Sequence, residues 1–546
     1  MVSLTDNYID DPELFSKAGL ATPKYAQSDI VKSASNDPIW VHFGGGNLFR
    51  CFHAKIAQDL LNINDLKSGI IVAETFDKEV IDQIYDPYKN RMLSVILKDD
   101  AKPEKELIAS VADAIFVDKN STKEWDKLTK IFSNPSLQFV TFSITEKGYS
   151  LSDVNGNLTS SAKEDIIHGP NKPTTTMAIV ASLLYARYQA GRYPIAMVST
   201  DNFSQNGLKL KTEVLKIAEG WANKDLVNKD FIKYLNNTEK VSFPLSMIDR
   251  ITPSPAKNVA NSLSEDGFED TKILTTQKQT VIAPFANTEE VKYLVIEDNF
   301  PNGRPDLDKA GVILTDRQTV NDADQMKVTA CLNPLHTALA IFGCLLNFTS
   351  ISDEMKDNDL LGLIKNLGYG EDLPVVKDPK IIDPEDFIAE LINKRLPNKN
   401  IPDTPQRIAV DTSQVIPIRY GVTIQHYIDD PKREPEQLEF IPLILAGWCR
   451  YLIGIDDNGQ TFKQSPDPLL STMTQYVSDV KLNDMSINIH EVLKPILSNE
   501  SIFGNDLYKI GLGAKVENYF KLLIAGKGAV RKTLHETVKN KSYYFI

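Results

Sequence analysis

The stretch VHFGGGNLFR, residues 41–50, decides the fold of the first half of the chain. A short apolar run ends at Phe43, three glycines follow, and NLFRCFHAKIAQDLL then carries apolar residues at helical spacings of three and four. A strand that passes through glycines into a helix has the layout of a dinucleotide-binding turn. The glycines let the backbone approach a pyrophosphate, and the helix N-terminus supplies N–H groups and a positive dipole. Three glycines can also make only a turn, so the flanking sequence must decide.

Further apolar runs of similar length predict the rest of a sheet. They are GIIVAE (69–74), LQFVTFSI (137–144), YPIAMVST (193–200) and KYLVIEDNF (292–300). Their alternation with helical stretches predicts a parallel sheet with crossover helices. After about residue 317 the apolar segments all have helical spacing. We therefore expect an α/β Rossmann-type N-terminal domain over 1–316 and a mostly α-helical C-terminal domain over 317–546, with 221–242 as a surface insertion.

Composition excludes several classes of partner. The 546 residues carry a formal net charge of −13, which disfavours nucleic acid and anionic membranes but not a small anion in a local pocket. The seven histidines are scattered without the spacing of metal ligands, so we expect no metal site. The N-terminus lacks an apolar segment, and no stretch approaches 18 uncharged apolar residues, so we expect a cytoplasmic protein. The oligomeric state stays open.

The glycine turn departs from the usual fingerprint because Phe49 stands where a third glycine is often found. Glu74, at the end of the second predicted strand, is placed to accept hydrogen bonds from ribose hydroxyls, and Asp77 offers a second carboxylate. Either carboxylate would repel a 2′-phosphate, which favours NAD over NADP. The predicted cofactor-binding residues are Gly44, Gly45, Gly46, Asn47, Leu48, Glu74 and Asp77.

The segment ADQMKVTACLNPLHTALA, residues 323–340, carries polar residues in an otherwise apolar helix. Asn333 and His336 share one face, whereas Lys327 lies half a turn away on an ideal helix. Pro334 supplies a cause for an irregularity that would bring Lys327 to the same side. A desolvated lysine can act as a base near neutral pH, and Asp324 could exchange protons with it. The alternative is a surface lysine, a core histidine and a capping asparagine.

Three other stretches offer polar groups for a substrate. Asn202, in STDNFSQNG, follows a predicted parallel strand, and its amide could hold a carbonyl oxygen or alkoxide. Asp249 and Arg250 lie in an apolar run, while Arg407 and Arg419 lie in the helical half, where either could bind a carboxylate. An ordinary loop and a buried ion pair remain the alternatives.

Together the stretches resemble the long-chain mannitol dehydrogenase family of polyol and uronate oxidoreductases. The similar pieces, which span about residues 40–510, are HFGGGNLFR, ITEKGY, STDNFSQNG, FPLSMIDRITP, YLVIEDNFPNGRP, MKVTACLNPLHTALA and ESIFGNDL. The resemblance implies a Rossmann-type domain, a helical domain, and metal-independent hydride transfer to or from NAD(P).

The resemblance also implies residue roles. Lys327 would be the general acid/base, Asn202 and Asn333 would polarise the reacting oxygen, and His336 would orient the substrate. Asp249 and Arg407 would contact the substrate, and Asp324 would gate proton exchange. Lys327 and Asn333 are six residues apart, whereas the family usually has five, so either the helix bulges or one assignment is wrong. The family's substrate-binding lysine falls at Val415, and Arg419 is its expected replacement.

We therefore expect an NAD-dependent oxidoreductase that interconverts a ketouronate and a sugar acid, D-fructuronate + NADH to D-mannonate + NAD. The chain is longer than the mannitol enzymes, and Arg250, Arg407 and Arg419 offer partners for a uronate carboxylate. Mannitol 2-dehydrogenase and tagaturonate reductase activities are the close alternatives. A catalytically inactive NAD(H)-binding sensor is the alternative from another class.

Overall fold

The computed structural model describes residues 1–98, 102–118, 121–153, 156–401, 403–484, 486–541 and 543. The chain divides into two compact units, Met1–Asn321 and Asp322–Ile546. The predicted domain boundary, at 316/317, lies close to this division and at the start of the helix Arg317–Gln325.

The strands belong to the first unit. They are β1 Trp40–Phe43, β2 Ile70–Glu74, β3 Met92–Leu97, β4 Glu104–Ile108, β5 Val111–Phe116, β6 Phe139–Phe142, β7 Ile195–Ser199, β8 Val241–Ser242, β9 Ser246–Asp249, β10 Leu274–Thr275, β11 Val281–Ile282, β12 Phe285–Glu289, β13 Tyr293–Glu297 and β14 Ile313–Thr315.

The main sheet has six strands in the order β5-β2-β1-β6-β7-β8, and every neighbouring pair is parallel. The predicted parallel sheet is thus confirmed. β1, β2, β6 and β7 are buried along their whole length, which explains their continuous apolar runs. The fifth predicted run forms β13, which lies in a separate sheet of order β14-β13-β9. The remaining sheets are β12-β3-β4 and β10-β11.

Helices connect the strands of the first unit and build the second. They are α1 Pro12–Lys17, α2 Gln27–Asn36, α3 Ala54–Asn62, α4 Lys78–Val80, α5 Thr122–Phe132, α6 Ser160–His168, α7 Thr176–Gly191, α8 Asn206–Ala222, α9 Asp230–Asn236, α10 Lys257–Glu265, α11 Arg317–Gln325, α12 Asn333–Leu345, α13 Ile351–Glu354, α14 Asn358–Lys365, α15 Pro384–Glu390, α16 Pro405–Ile408, α17 Thr412–Ile416, α18 Val422–Asp429, α19 Phe440–Tyr451, α20 Leu470–Tyr476, α21 Ile489–Leu497, α22 Glu500–Phe503, α23 Gly513–Leu523 and α24 Ala529–Lys541.

Wider π-helical turns interrupt or extend several of these helices. In the described part of the chain they are Phe49–His53, Ile81–Tyr85, Met326–Cys331, Asn366–Asp372, Leu391–Arg395 and Pro417–Gly421. Short 3₁₀ turns lie at Glu146–Tyr149, Leu307–Ala310, Leu373–Val375 and Pro435–Gln437. Such π turns often mark functional sites.

The segment 221–242 is not the surface insertion that the sequence predicts. It contains α9 and ends in β8, the edge strand of the main sheet, which pairs with β7. Trp221, Phe231 and Leu235 are fully buried, and the Phe231 ring packs against Tyr185 and Tyr188 of α7. The sequence prediction fails here because the apolar residues of this segment are few and widely spaced among many Asn and Lys residues.

Among the described residues, one helical run meets the length and composition needed to cross a membrane, whereas the sequence predicts none. This run is Arg317–Leu345, and 78% of its most apolar window is buried inside the protein. Such burial is typical of a core helix.

Arg187 of α7 joins the loops at the amino ends of β6 and β7. Its side chain is fully buried. All five of its guanidinium hydrogen bonds end on backbone carbonyl oxygens, those of Phe132, Asn134, Leu137, Tyr193 and Pro194, at 2.7–3.1 Å. Because these loops precede buried strands, the guanidinium fixes where the strands enter the sheet.

We expect Arg187→Met to lower the free energy of unfolding of the first unit by about 3–5 kcal/mol, because it leaves several buried carbonyls without donors. The change is measured by differential scanning calorimetry. Arg192→Met, at an exposed arginine beyond the end of the same helix, is the control and should cost less than about 1 kcal/mol. Equal losses in the two variants would contradict this role.

Candidate active site

The glycine turn begins directly after β1, where Gly44 lies between the ends of β2 and β6. Gly44 has φ +105°, and its N–H donates to the Ala73 carbonyl at 3.0 Å. A Cβ atom at this position would lie 2.3 Å from the carbonyl oxygen of Ser143, which follows β6. Because that oxygen is backbone, no side chain can be accommodated. The sequence therefore needs glycine here for reasons internal to the protein.

Gly45 and Gly46 differ in their surroundings. The Gly45 N–H donates to Glu74 at 2.7 Å, and the Tyr85 hydroxyl donates to the Gly45 carbonyl at 2.8 Å. A Cβ on Gly46 would instead meet no atom within 4 Å. The helix begins at Asn47, directly after this open side. The turn is thus held rigidly on one side and leaves room for a ligand on the other, which fits a pyrophosphate.

Glu74 and Asp77 are engaged with the protein itself. The Glu74 carboxylate accepts the backbone N–H groups of Gly45, Phe76 and Asp77 at 2.7–3.1 Å. Asp77 accepts the Glu79 N–H and the hydroxyls of Thr276 and Thr280, in the turn between β10 and β11. Both carboxylates are buried. Their predicted contact with ribose stays a prediction, because most of their acceptor positions support the glycine turn and its neighbouring hairpin.

The loops after β6 and β7 are joined by the buried carboxylate of Asp201. It accepts the N–H groups of Ile144 and Thr145 at 3.0 and 2.9 Å and the hydroxyl of Tyr149 at 2.6 Å. Burial raises the pKa of Asp201, while these donors lower it. Thr145 is held at φ +62°, a strained value for a β-branched residue. Asn202, the next residue, is exposed, so the anchored loop presents it to solvent.

Asp249 is the last residue of β9 in the first unit, and Arg250 follows it. Asp249 is buried and pairs in register with Tyr293 of β13. The Arg250 guanidinium stacks on Phe52 at 5.1 Å and donates to the Thr288 hydroxyl at 2.8 Å. Burial lowers its pKa. Arg250 is therefore used, at least in part, to hold elements of the first unit together.

Lys327 lies in a bulge of the helix that begins the second unit. The π turn Met326–Cys331 replaces the regular spacing, and the Leu332 N–H reaches back five residues to the Lys327 carbonyl at 3.1 Å. Leu332 has φ −124° and ψ −61°, so the helix breaks there before Asn333 begins α12. The irregularity predicted near Pro334 is confirmed, and this bulge is one of the two explanations that the six-residue spacing left open.

The Lys327 side chain is buried, with 2% of its surface exposed, in a helix of mainly apolar residues. Its Nζ atom lies 3.9 Å from the Asp324 carboxylate, which is also buried. This distance is longer than a hydrogen bond, so Lys327 and Asp324 form a loose ion pair. Asn333 and His336, on α12, are partly buried.

His336 is surrounded by charges of the second unit. Its Nε2 atom lies 3.7 Å from the Asp403 carboxylate, which forms a two-bond pair with Arg407 at 2.7 and 2.6 Å. Burial lowers the pKa of His336 to about 4, opposed by Asp403 and assisted by Arg407, Arg419 and Arg395. The imidazole is therefore neutral near pH 7 and can donate or accept one hydrogen bond.

Several residues of this region were missed from the sequence. Asp403 stands four residues before Arg407, just ahead of α16, a charge spacing that could have identified it. Arg395 is buried, with its guanidinium 6.0 Å from the Phe387 ring, and lacked any local signal. Tyr85 was missed because it lies forty residues from Gly45. Among the described residues, no group of three or more His, Cys, Asp or Glu side chains could hold a metal ion.

Comparisons with known proteins agree over nearly the whole chain. The family model for the mannitol dehydrogenase Rossmann domain matches residues 38–309, and that for the mannitol dehydrogenase C-terminal domain matches 320–523. D-mannonate oxidoreductase of Thermotoga maritima is 51% identical over 97% of this chain and 98% of its own. D-mannonate oxidoreductase of Escherichia coli is 26% identical over 86% and 89%.

A solved structure of Pseudomonas fluorescens mannitol 2-dehydrogenase, in ternary complex with NAD and D-mannitol, matches with a TM-score of 0.72 at 25% identity. The match covers 99% of this chain and 100% of that one.

A buried carboxyl group, that of Glu354 in α13, packs against α12 beside Gly343. Glu354 is fully buried, and neither of its side-chain oxygens has a hydrogen-bond partner. One of them occupies the space beside Gly343, where a Cβ would lie 1.7 Å away. Burial raises the pKa of Glu354 to about 9, with smaller contributions from Asp403 and Asp357. The group is therefore a neutral acid near pH 7.

We expect Glu354→Gln to stabilise the protein increasingly as pH rises from 5 to 8. In the wild type, folding must take up a proton above pH 4.5, the ordinary pKa of a glutamate, so stability falls until the folded pKa is reached. Glutamine has the same shape and needs no proton. The difference in free energy of unfolding should grow by at most about 1.4 kcal/mol per pH unit. Parallel stability curves for the two proteins would contradict a protonated Glu354.

Proposed function

Because the chain belongs to the mannitol dehydrogenase family, we propose that it reduces a ketouronate with NADH, converting D-fructuronate to D-mannonate, without a metal ion. It is an oxidoreductase that acts on CH–OH groups. The observation that carries the proposal is the 51% identity to D-mannonate oxidoreductase over nearly the full length of both chains. The sequence also predicts a cytoplasmic location, and this location is part of the proposal.

In the first unit, the glycine turn is proposed to hold the cofactor. Gly44 and Gly45 are fixed by protein contacts, whereas Gly46 faces open space at the start of the helix. The N–H groups from Gly46 to Leu48 would bind the pyrophosphate. Glu74 and Asp77 would shape the adenosine side and disfavour a 2′-phosphate. NADH, when bound, supplies the hydride.

Protonated Lys327 is proposed to deliver a proton from Nζ to the ketone oxygen as that oxygen becomes a hydroxyl. Its burial and its position 3.9 Å from Asp324 support this role, because Asp324 can relay the replacing proton. The side-chain amides of Asn202 and Asn333 would donate hydrogen bonds to the same oxygen. Neutral His336 would orient a neighbouring substrate hydroxyl.

The substrate carboxylate is assigned to arginines of the second unit. Arg407 is exposed and uses two of its five donors on Asp403. Arg419 donates from Nη1 to the Thr337 hydroxyl, on the turn that follows His336. Both therefore have donors available for a carboxylate near His336. Asp249 is proposed to contact the substrate, as the sequence predicts. Arg250 would contribute less to substrate binding, because its guanidinium binds within the first unit.

Reduction of fructose to mannitol is the second candidate activity. The structural match to mannitol 2-dehydrogenase in complex with D-mannitol supports it. The cluster of Arg395, Arg407 and Arg419 around His336 favours the anionic substrate instead.

We expect Gly46→Val to fold normally and to weaken NADH binding at least tenfold. The Cβ of the added side chain meets no protein atom within 4 Å, and the side chain would fill the space proposed for the pyrophosphate. Binding is measured by NADH fluorescence, and folding by thermal unfolding. Gly303→Ala, at another glycine with room for a Cβ but positive φ, controls for a general effect of filling a glycine in the first unit. Unchanged NADH binding in Gly46→Val would place the cofactor elsewhere.

The proposed reaction is tested by NADH consumption with D-fructuronate, D-tagaturonate and D-fructose under one set of conditions. We expect kcat/KM to be highest for D-fructuronate and to fall about 10³-fold or more in Lys327→Ala, which removes the proton donor but leaves NADH binding intact. Arg419→Met should raise KM for D-fructuronate more than for D-fructose, because only the former carries a carboxylate.

Preference for fructose in the wild type would move the activity to a polyol dehydrogenase. NADH binding with no turnover of any of the three substrates would favour the inactive sensor. Full activity in Lys327→Ala would remove the lysine from the mechanism.

A further inference from the structure

The helix break at Leu332, followed by Pro334, leaves backbone carbonyls without their usual donors. In the π turn Met326–Cys331, a carbonyl accepts from the N–H five residues ahead, as Lys327 does from Leu332. For Thr329 that residue is Pro334, which has no N–H. If the Ala330 carbonyl instead accepted from the residue four positions ahead, as in an α-helix, that residue would also be Pro334. A buried carbonyl that lacks a donor is costly, so another group must supply one.

Thr423 supplies the donor. Its hydroxyl lies 3.3 Å from the Thr329 carbonyl oxygen, and it belongs to α18, far along the sequence. Two neighbours on the preceding π turn bind the same helical segment. The Tyr420 hydroxyl donates to the Pro334 carbonyl at 2.8 Å, and Arg419 donates to the Thr337 hydroxyl. We name Arg419, Tyr420 and Thr423 the clamp.

The clamp reaches the backbone on both sides of the break. Thr329, which Thr423 contacts, lies two residues after Lys327. Thr337, which Arg419 contacts, donates in turn to the Asn333 carbonyl at 2.9 Å. The backbones that carry Lys327 and Asn333 are therefore set by side chains about ninety residues away.

Asp372 is the second hydrogen-bond partner of the Thr423 hydroxyl. Its Oδ1 atom is 3.1 Å from the Thr423 hydroxyl oxygen, and the side chain is fully buried. A hydroxyl has one hydrogen, so Thr423 cannot donate to Thr329 and to an ionised Asp372 together. Both contacts are satisfied if Asp372 carries a proton and donates to Thr423. Burial, with a contribution from Glu371, raises the pKa of Asp372 well above its usual range, which agrees with a neutral acid.

Resting on the proposed function, we propose that Asp372 and Thr423 are positioning residues for the acid/base lysine. Asp372 donates its proton as a hydrogen bond to Thr423, Thr423 donates to the Thr329 carbonyl, and this chain holds the π turn that directs Lys327. Neither residue touches the substrate or the cofactor in this arrangement.

Thr423→Val is the first test, because it preserves shape and removes the hydroxyl. We expect kcat with D-fructuronate and NADH to fall about 10- to 100-fold, since a small misplacement of a catalytic group has this cost. NADH binding, measured by fluorescence, should stay within about twofold, because the cofactor residues lie in the first unit. The alkaline limb of the kcat/KM profile should move by roughly 0.5 pH unit or more, since the surroundings of Lys327 change.

Thr423→Ser should restore the wild-type rate and pH profile, because it keeps the hydroxyl. Thr537→Val is the matched control in the same unit. It removes a buried hydroxyl that donates to the Thr533 carbonyl at 2.8 Å, on a helix without proposed site residues, and should leave kcat unchanged. If Thr423→Val does not fold, Tyr420→Phe tests the clamp by removing the bond to the Pro334 carbonyl.

Asp372→Asn separates the neutral acid from an ionised carboxylate. The asparagine amide can donate to Thr423 as a protonated carboxyl does, so the rate and the pH profile should stay close to wild type. A loss as large as that of Thr423→Val would overturn the assigned proton. Wild-type kinetics in Thr423→Val would overturn the positioning role while the proposed function stands. A wild-type protein without turnover, or an active Lys327→Ala, would overturn both proposals.

Discussion

The missing N–H of Pro334 is the constraint on which the second unit's candidate site depends. A regular helix cannot pass through that residue without leaving a carbonyl unpaired. The chain responds with the π turn Met326–Cys331, a break at Leu332 and a new helix that starts at Asn333. Without this break, Lys327 and Asn333 would keep the angular relation of a straight helix. A second π turn, Phe49–His53, follows the glycine turn, so the candidate residues of each unit lie beside a helix that departs from regular spacing.

Buried carboxyl groups support the loops that carry the candidate site residues. Asp201 binds two backbone N–H groups and thereby presents Asn202, and Glu74 binds three and holds Gly45. Asp372 serves the helix break through Thr423. Asp201 and Glu74 are largely satisfied by the protein, so the neighbouring side chains are left to meet ligands. This arrangement agrees with the general need for rigid support behind a catalytic group.

The charge around His336 is opposite in sign to that of the whole chain. The protein carries a formal charge of −13, yet Arg395, Arg407 and Arg419 all act on this histidine, with Asp403 as the opposing charge. Net charge governs long-range attraction, whereas binding of a small anion depends on the charges within a few ångströms. A sugar acid can therefore be the substrate of an acidic protein. Burial, assisted by the same arginines, lowers the pKa of His336 and keeps the imidazole neutral, in a state that can orient a hydroxyl.

The sequence alone determined the features that follow from local spacing. Four apolar runs predicted β1, β2, β6 and β7 of the parallel sheet, and the proline in an apolar helix predicted the irregularity beside Lys327. The tertiary structure alone decided which partner each polar group meets. Asp77 binds Thr276, 199 residues away, and Tyr420 binds the carbonyl of Pro334, 86 residues away. Periodicity is a property of a few adjacent turns, whereas such contacts depend on how whole elements pack. For the same reason, the sequence wrongly predicts that 221–242 is a surface insertion.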